Sequence, residues 1–84
     1  MNISLDYDDT FTVYPDMWLK VAKMFQLHGC KVYGVTYRGE GKVSDKYKEA
    51  CNGGIYFTGG ESKRKYMSDK GIRIDVWIDD MAKL

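Results

Sequence analysis

Four short apolar stretches, residues 1–5, 31–36, 55–57 and 72–78, alternate with three stretches of helical character, and that alternation leaves few folds open. Strands separated by helices do not pair as hairpins; they run in the same direction and form a parallel sheet. The order β-α-β-α-β-α-β predicts a small four-stranded, Rossmann-like α/β sheet with helices on both faces.

Local signals agree with this order. Ile3 and Leu5 alternate with Asn2 and Ser4, the period of a strand. Pro15 opens a helix at the position that tolerates proline best. Trp18, Val21, Ala22 and Phe25 line one face of it, and Gly29 ends it after His28. His28, the only histidine, is expected to cap that helix, and Met17 and Met24 are expected to pack. Val32, Tyr33 and Val35 form the nearly continuous apolar run of a strand buried on both faces. Ser44 is placed to cap a helix through Cys51, with Tyr47, Ala50 and Cys51 turned inward. Ser62 is placed to cap a third helix that closes at Gly71, and residues 72–78 make the last strand.

The 84 residues suit one domain without a second core. With 13 Lys+Arg against 12 Asp+Glu, the net charge of +1 makes no field that would by itself draw nucleic acid or a membrane. Cys30 and Cys51 have neither CxxC spacing nor a histidine in a ligand pattern, which argues against zinc and for reduced, core-facing thiols. No leader-like or membrane-length apolar run is present, so a cytoplasmic protein is expected.

In a parallel sheet the residues that follow each strand gather on one rim, the edge where such sheets bind ligands. Asp6, Asp8 and Asp9 follow the first strand, Thr36 and Arg38 the second, Thr58 the third, and Asp79 and Asp80 the fourth. Five carboxylates on one rim repel one another, and a hard divalent cation such as Mg²⁺ would relieve them, with Asp6, Asp8, Asp79 and Asp80 as candidate ligands. Lys63, Arg64 and Lys65 sit in the first turn of the third helix, where the helix dipole disfavours positive charge. A local rule broken in this way marks a candidate functional position, here one suited to a phosphoryl group.

These residues carry a resemblance. Asp6-Tyr7-Asp8-Asp9-Thr10 matches the DxDx[TV] opening of the haloacid dehalogenase-like superfamily, Thr36 its strand-end Ser/Thr, a lysine early in the third helix its phosphate-site lysine, and Asp79-Asp80 its closing acidic pair. The match spans residues 3–80 in the expected order. The resemblance implies a Mg²⁺-dependent phosphohydrolase working through an aspartyl-phosphate. In it Asp6 is nucleophile and metal ligand, Asp8 the acid and base, Thr36 a hydrogen-bond donor to the phosphoryl group, and Asp79 and Asp80 complete the metal site. Lys63 or Lys65 neutralises the phosphoryl charge, Lys63 being nearer the helix start, while the other lysine and Arg38 are candidates for holding substrate.

The connectors after the first and third strands are too short for a cap domain, which leaves an open site, and the lack of the further strand that larger relatives carry after the acidic pair leads us to expect an exposed sheet edge. Such a site suits a bulky phosphorylated substrate, a nucleotide or nucleic-acid end among them, or a lid from a second subunit. Tyr7, Phe11, Tyr14 and Tyr37 are candidates to wall it. A receiver-like phospho-acceptor module groups similar residues, but its lysine follows the last strand, whereas Lys63 precedes it here. A non-catalytic binding domain is the third reading.

Overall fold

The strands stand in the order β3-β2-β1-β4 and every neighbouring pair is parallel. In this computed structural model, which describes residues 1–81, they are β1 (Asn2–Leu5), β2 (Lys31–Thr36), β3 (Ile55–Phe57) and β4 (Val76–Ile78). The helices are α1 (Pro15–Leu27), α2 (Asp45–Ala50) and α3 (Lys63–Asp69). The chain steps outward from β1 to β2 to β3, then returns across the sheet to place β4 on the free side of β1. That reversal opens a crevice between the carboxyl ends of β1 and β4, the place where doubly wound sheets take ligands. Among the described residues there is no cap domain, and no helix is long and apolar enough to cross a membrane.

Each face of the sheet has its own core. Leu5, Val32, Tyr7 and Phe11 pack with Ala22 of α1 and with Tyr47 and Ala50 of α2. On the opposite face Tyr33 and Val35 pack with Met67 of α3. The two-residue period of β2 makes this division, because Val32 and Gly34 point one way and Tyr33 and Val35 the other. Helix α2 begins at the expected cap, where Ser44 Oγ accepts from the Tyr47 backbone N–H, and α3 likewise, where Ser62 accepts from the Lys65 N–H.

Three expectations need correction. Residues 72–75 are not part of the last strand: Ile72, Ile74 and Trp77 all pack on the α3 side, a spacing that one continuous pleat cannot give. One backbone bond and two side-chain bonds tie this stretch to β1: the Asp75 N–H donates to the Asn2 carbonyl at 2.8 Å, Asp75 Oδ2 accepts from the Asn2 N–H, and Asn2 Nδ2 donates to the Arg73 carbonyl. Met17 and Met24 do not pack but lie exposed on the outer side of α1. Cys51 is buried, its thiol pushed up to about 12 by burial, but Cys30 is only half-buried.

A close fit in the core joins β2 to α2. Tyr47 is fully buried and its hydroxyl donates to the Leu5 carbonyl at 2.6 Å, so the ring must lie flat against β2. Gly34 leaves that room, since a Cβ there would stand 2.7 Å from the Tyr47 oxygen. Gly34→Ala is therefore expected to lower unfolding free energy in urea by about 1–3 kcal/mol through overpacking. An unchanged midpoint would mean that α2 can move away without loss.

Candidate active site

At the β1/β4 crevice the sheet ladder continues one step past the strands, the Asp6 N–H donating to the Ile78 carbonyl at 3.0 Å. This step sets Asp6 beside Asp79. Lys63, wholly buried in the first turn of α3, closes the gap from the other side: its Nζ lies 2.8 Å from Asp6 Oδ1 and is also ion-paired with Asp79 Oδ2. The Tyr37 ring lies beneath the same ammonium, 4.6 Å from Nζ to its centroid. One carboxylate oxygen from each of Asp6, Asp79 and Asp80 falls within 4.8 Å of the others.

The turn Tyr7–Phe11 holds Asp6 from the β1 side. It is a single wide turn, with Asp9 in the left-handed region at φ 61° and its N–H donating to Thr12 Oγ1. This winding brings Thr10 back under Asp6, to whose Oδ2 it donates at 3.2 Å. Asp6 is thus held at both oxygens. Thr36, buried at the end of β2, accepts from the Arg38 backbone N–H at 3.4 Å. Thr58, at the end of β3, is buried with its hydroxyl unpartnered among the described residues.

Asp8 takes a different place. Arg38 grips it with both prongs, Nε to Oδ2 and Nη2 to Oδ1 at 2.8 Å each, while Nη1 donates to the Lys42 carbonyl. The guanidinium also lies over the Tyr7 ring. Of the four metal-ligand candidates, Asp8 therefore stands apart from the cluster that Asp6, Asp79 and Asp80 form, because Arg38 occupies its oxygens. Asp9 is exposed and outside the cluster as well. Lys65 is exposed and paired with Asp69 along its own helix, away from the crevice. Tyr7 and Phe11 stack into the core and Tyr14 is exposed; of the four aromatic wall candidates, Tyr37 lies against Lys63.

The charges follow from this geometry. Burial is the largest influence on Asp6 and, with Asp80 and Asp79 nearby, outweighs Lys63 to raise its pKa from 3.8 to about 6. Burial alone would lower Lys63, but its hydrogen bonds to Asp6 and Asp79 outweigh that and its pKa is raised. The Arg38 hydrogen bonds hold Asp8 below the usual carboxylate range. At neutral pH the site contains a buried ammonium among three carboxylates, an excess of negative charge. All three donors are hard oxygen, the set that suits Mg²⁺.

Two contacts escaped the sequence reading. The Asp6–Thr10 bond had a weak signal, an Asp and a Thr four residues apart across a turn. The Asp8–Arg38 pair had a better one, opposite charges just past two strands that the topology sets side by side. Fold and site define a doubly wound α/β domain with an acid-lined, lysine-centred crevice at its topological switch. The chain matches no family model, no curated protein and no solved structure.

Opposite substitutions should move stability in opposite directions. Asp6 has a folded pKa above its unfolded one, so without a cation its contribution is lost as pH rises from about 4 through about 6. Asp6→Asn should then stabilise the cation-free protein by about 1–3 kcal/mol near neutral pH. Lys63→Met leaves two buried carboxylates unpaired and should cost about 3–5 kcal/mol at neutral pH, less in mild acid where Asp6 takes a proton. Thermal melts of both variants across this pH range, in a chelator, measure the two signs.

Proposed function

We propose that the protein is a Mg²⁺-dependent phosphohydrolase of the haloacid dehalogenase-like kind, acting on phosphomonoesters through an aspartyl-phosphate. The observation that carries the reading is the buried Asp6–Lys63–Asp79 grouping, with Asp80 alongside, at the β1/β4 crevice. Phosphoryl transfer asks mainly for in-line placement and charge neutralisation. The second need is the one that Lys63, Arg38 and the three oxygen donors support.

Asp6 is held by Thr10 and Lys63, which fix its carboxylate without using all of its lone pairs. It attacks phosphorus, and the ester oxygen leaves with a proton from Asp8. Water then cleaves the Asp6 phosphate, giving its proton to the Asp8 carboxylate. As paired with Arg38, Asp8 is ionised and ready for this second half. To serve as acid in the first, it has to give up Arg38, whose planar fork fits a phosphoryl group as well as a carboxylate. Lys63 offsets charge on the phosphoryl oxygens, and Thr36, at the end of the strand adjacent to β1, is assigned the hydrogen bond to the same group. Asp6, Asp79 and Asp80 would hold Mg²⁺, which supplies further charge neutralisation when bound. The rim, with no cap over it among the described residues, suits a phosphate carried on a bulky group, a nucleotide among them.

Incubation with Mg²⁺ and a nitrophenyl phosphate tests this directly. Turnover is expected for the unaltered chain, lost in chelator and reduced by at least about a hundredfold in Asp6→Asn and in Asp8→Asn. A phosphorylated protein that never turns over would point to a phospho-acceptor module instead. Neither turnover nor Mg²⁺ binding would leave a non-catalytic binding domain. Mg²⁺ at about a hundred times its Kd should also stabilise the fold by about 2.7 kcal/mol, read as a rise in melting temperature that Asp79→Asn weakens.

A further inference from the structure

Arg64 is the one member of the basic first turn of α3 that the crevice and the surface ion pairs leave without an anion. Lys63 is taken up by Asp6 and Asp79, and Lys65 by Asp69. Arg64 makes no ion pair among the described residues; its guanidinium lies over the Trp77 ring, 5.1 Å from carbon to centroid. Beneath and beside this pair, between α3 and β4, runs a groove of about 420 Å³, a size that takes a small molecule. Its floor is Met67, Ile72, Ile74 and Trp77, and its two charged lining residues are Arg64 and Arg73. Among the described residues no acidic side chain lines it. Arg73 is 89% exposed and paired with Asp75 at 3.3 Å, a surface pair that solvent weakens.

We infer that this groove binds a planar aromatic anion, the ring laid on Trp77 and the acidic group held by Arg64 and Arg73. The indole face is now covered by a guanidinium, a contact worth little at an exposed site and readily exchanged for ring stacking. Once displaced, the Arg64 fork is free for bidentate hydrogen bonds to a carboxylate or phosphate on the ring's edge. Arg64 without an acid and Arg73 with only a solvent-weakened surface pair favour an anion over a neutral guest, and the apolar floor disfavours a small, strongly hydrated ion. Because β4 is an edge strand, the groove is open along one side, which admits a flat ligand without movement of the fold. None of the crevice residues lines it, so the inference stands apart from the phosphohydrolase reading.

The binding partner's chemistry has two natural sources, aromatic acids and nucleotides, and one titration separates them. Trp18 lies on α1 and packs with the other core, so Trp18→Phe leaves Trp77 as the only indole fluorophore. In chelator, a naphthoate and adenosine monophosphate are each expected to change Trp77 emission saturably, and the tighter of the two identifies the source. Arg64→Gln and Arg73→Gln, both at exposed positions, should each weaken binding by about tenfold. Lys65→Gln removes the same charge from the same helix turn and should change it by less than about twofold. A neutral naphthalene alcohol should bind at least about tenfold more weakly than the naphthoate. Equilibrium dialysis of the unaltered chain must give the same ranking, which guards against misfolding of the Trp18 variant. No saturable binding of either probe at about millimolar concentration, or equal losses in Arg64→Gln and Lys65→Gln, would overturn the inference.

Discussion

The burial of one ammonium group, that of Lys63, between Asp6 and Asp79 is the constraint on which the rest of the molecule depends. Removing a lysine and two carboxylates from water costs more than their attraction returns unless geometry is close and further polar partners are supplied. Here the partners are supplied: Thr10 for Asp6, the Met81 N–H for the second oxygen of Asp79, and the Tyr37 ring for the ammonium. Each comes from a different segment. The ion group therefore joins the turn after β1, the loop after β2, the start of α3 and the end of β4, and it forms only when all four are in place.

The crevice is arranged as alternating charge. Asp79 faces Lys63, Lys63 faces Asp6, and on the outer side Asp8 faces Arg38, while Asp80 adds a third carboxylate beside Asp6 and Asp79. Two cations of different mobility serve these acids, Lys63 for Asp6 and Asp79 and Arg38 for Asp8. Lys63 is enclosed and fixed, whereas Arg38 is held at the surface by its contacts to Asp8, the Lys42 carbonyl and the Tyr7 ring. On the proposed phosphohydrolase reading, an incoming phosphoryl group would compete for Arg38 but would not displace Lys63. This difference suits a site in which one carboxylate must stay oriented and the other must change partners.

A domain this small has little core to spend on rigidity, and it concentrates what it has beside the site. Tyr7, Phe11 and Tyr47 make one aromatic cluster under the turn that carries Asp6 and Asp8. The Tyr47 hydroxyl ends on the Leu5 carbonyl, one residue before Asp6, so core packing and site geometry share an atom. The flanks are less covered. Both β3 and β4 are edges, and the groove beside β4 with its two arginines is the clearest consequence.

Much of this was written locally. Strand and helix periods, the Ser44 and Ser62 caps and the glycines at helix ends gave the element order, and the order gave a parallel sheet whose rim collects Asp6, Thr36, Thr58 and Asp79. The last strand was overread, since apolar Ile72 and Ile74 look like strand residues whichever side of a pleat they take. Local pattern favoured Lys63 over Lys65 only by its place nearer the helix start; the direction of α3 against β4 put Lys63 inside the crevice and left Lys65 in water. That pattern could not give Asp8 to Arg38, because residues distant in sequence meet only through the register of β1 with β2. The sequence by itself determined which chemistry was within reach, by setting the residue types at strand ends. The tertiary structure decided which groups touch, since burial and partner choice depend on how distant segments converge.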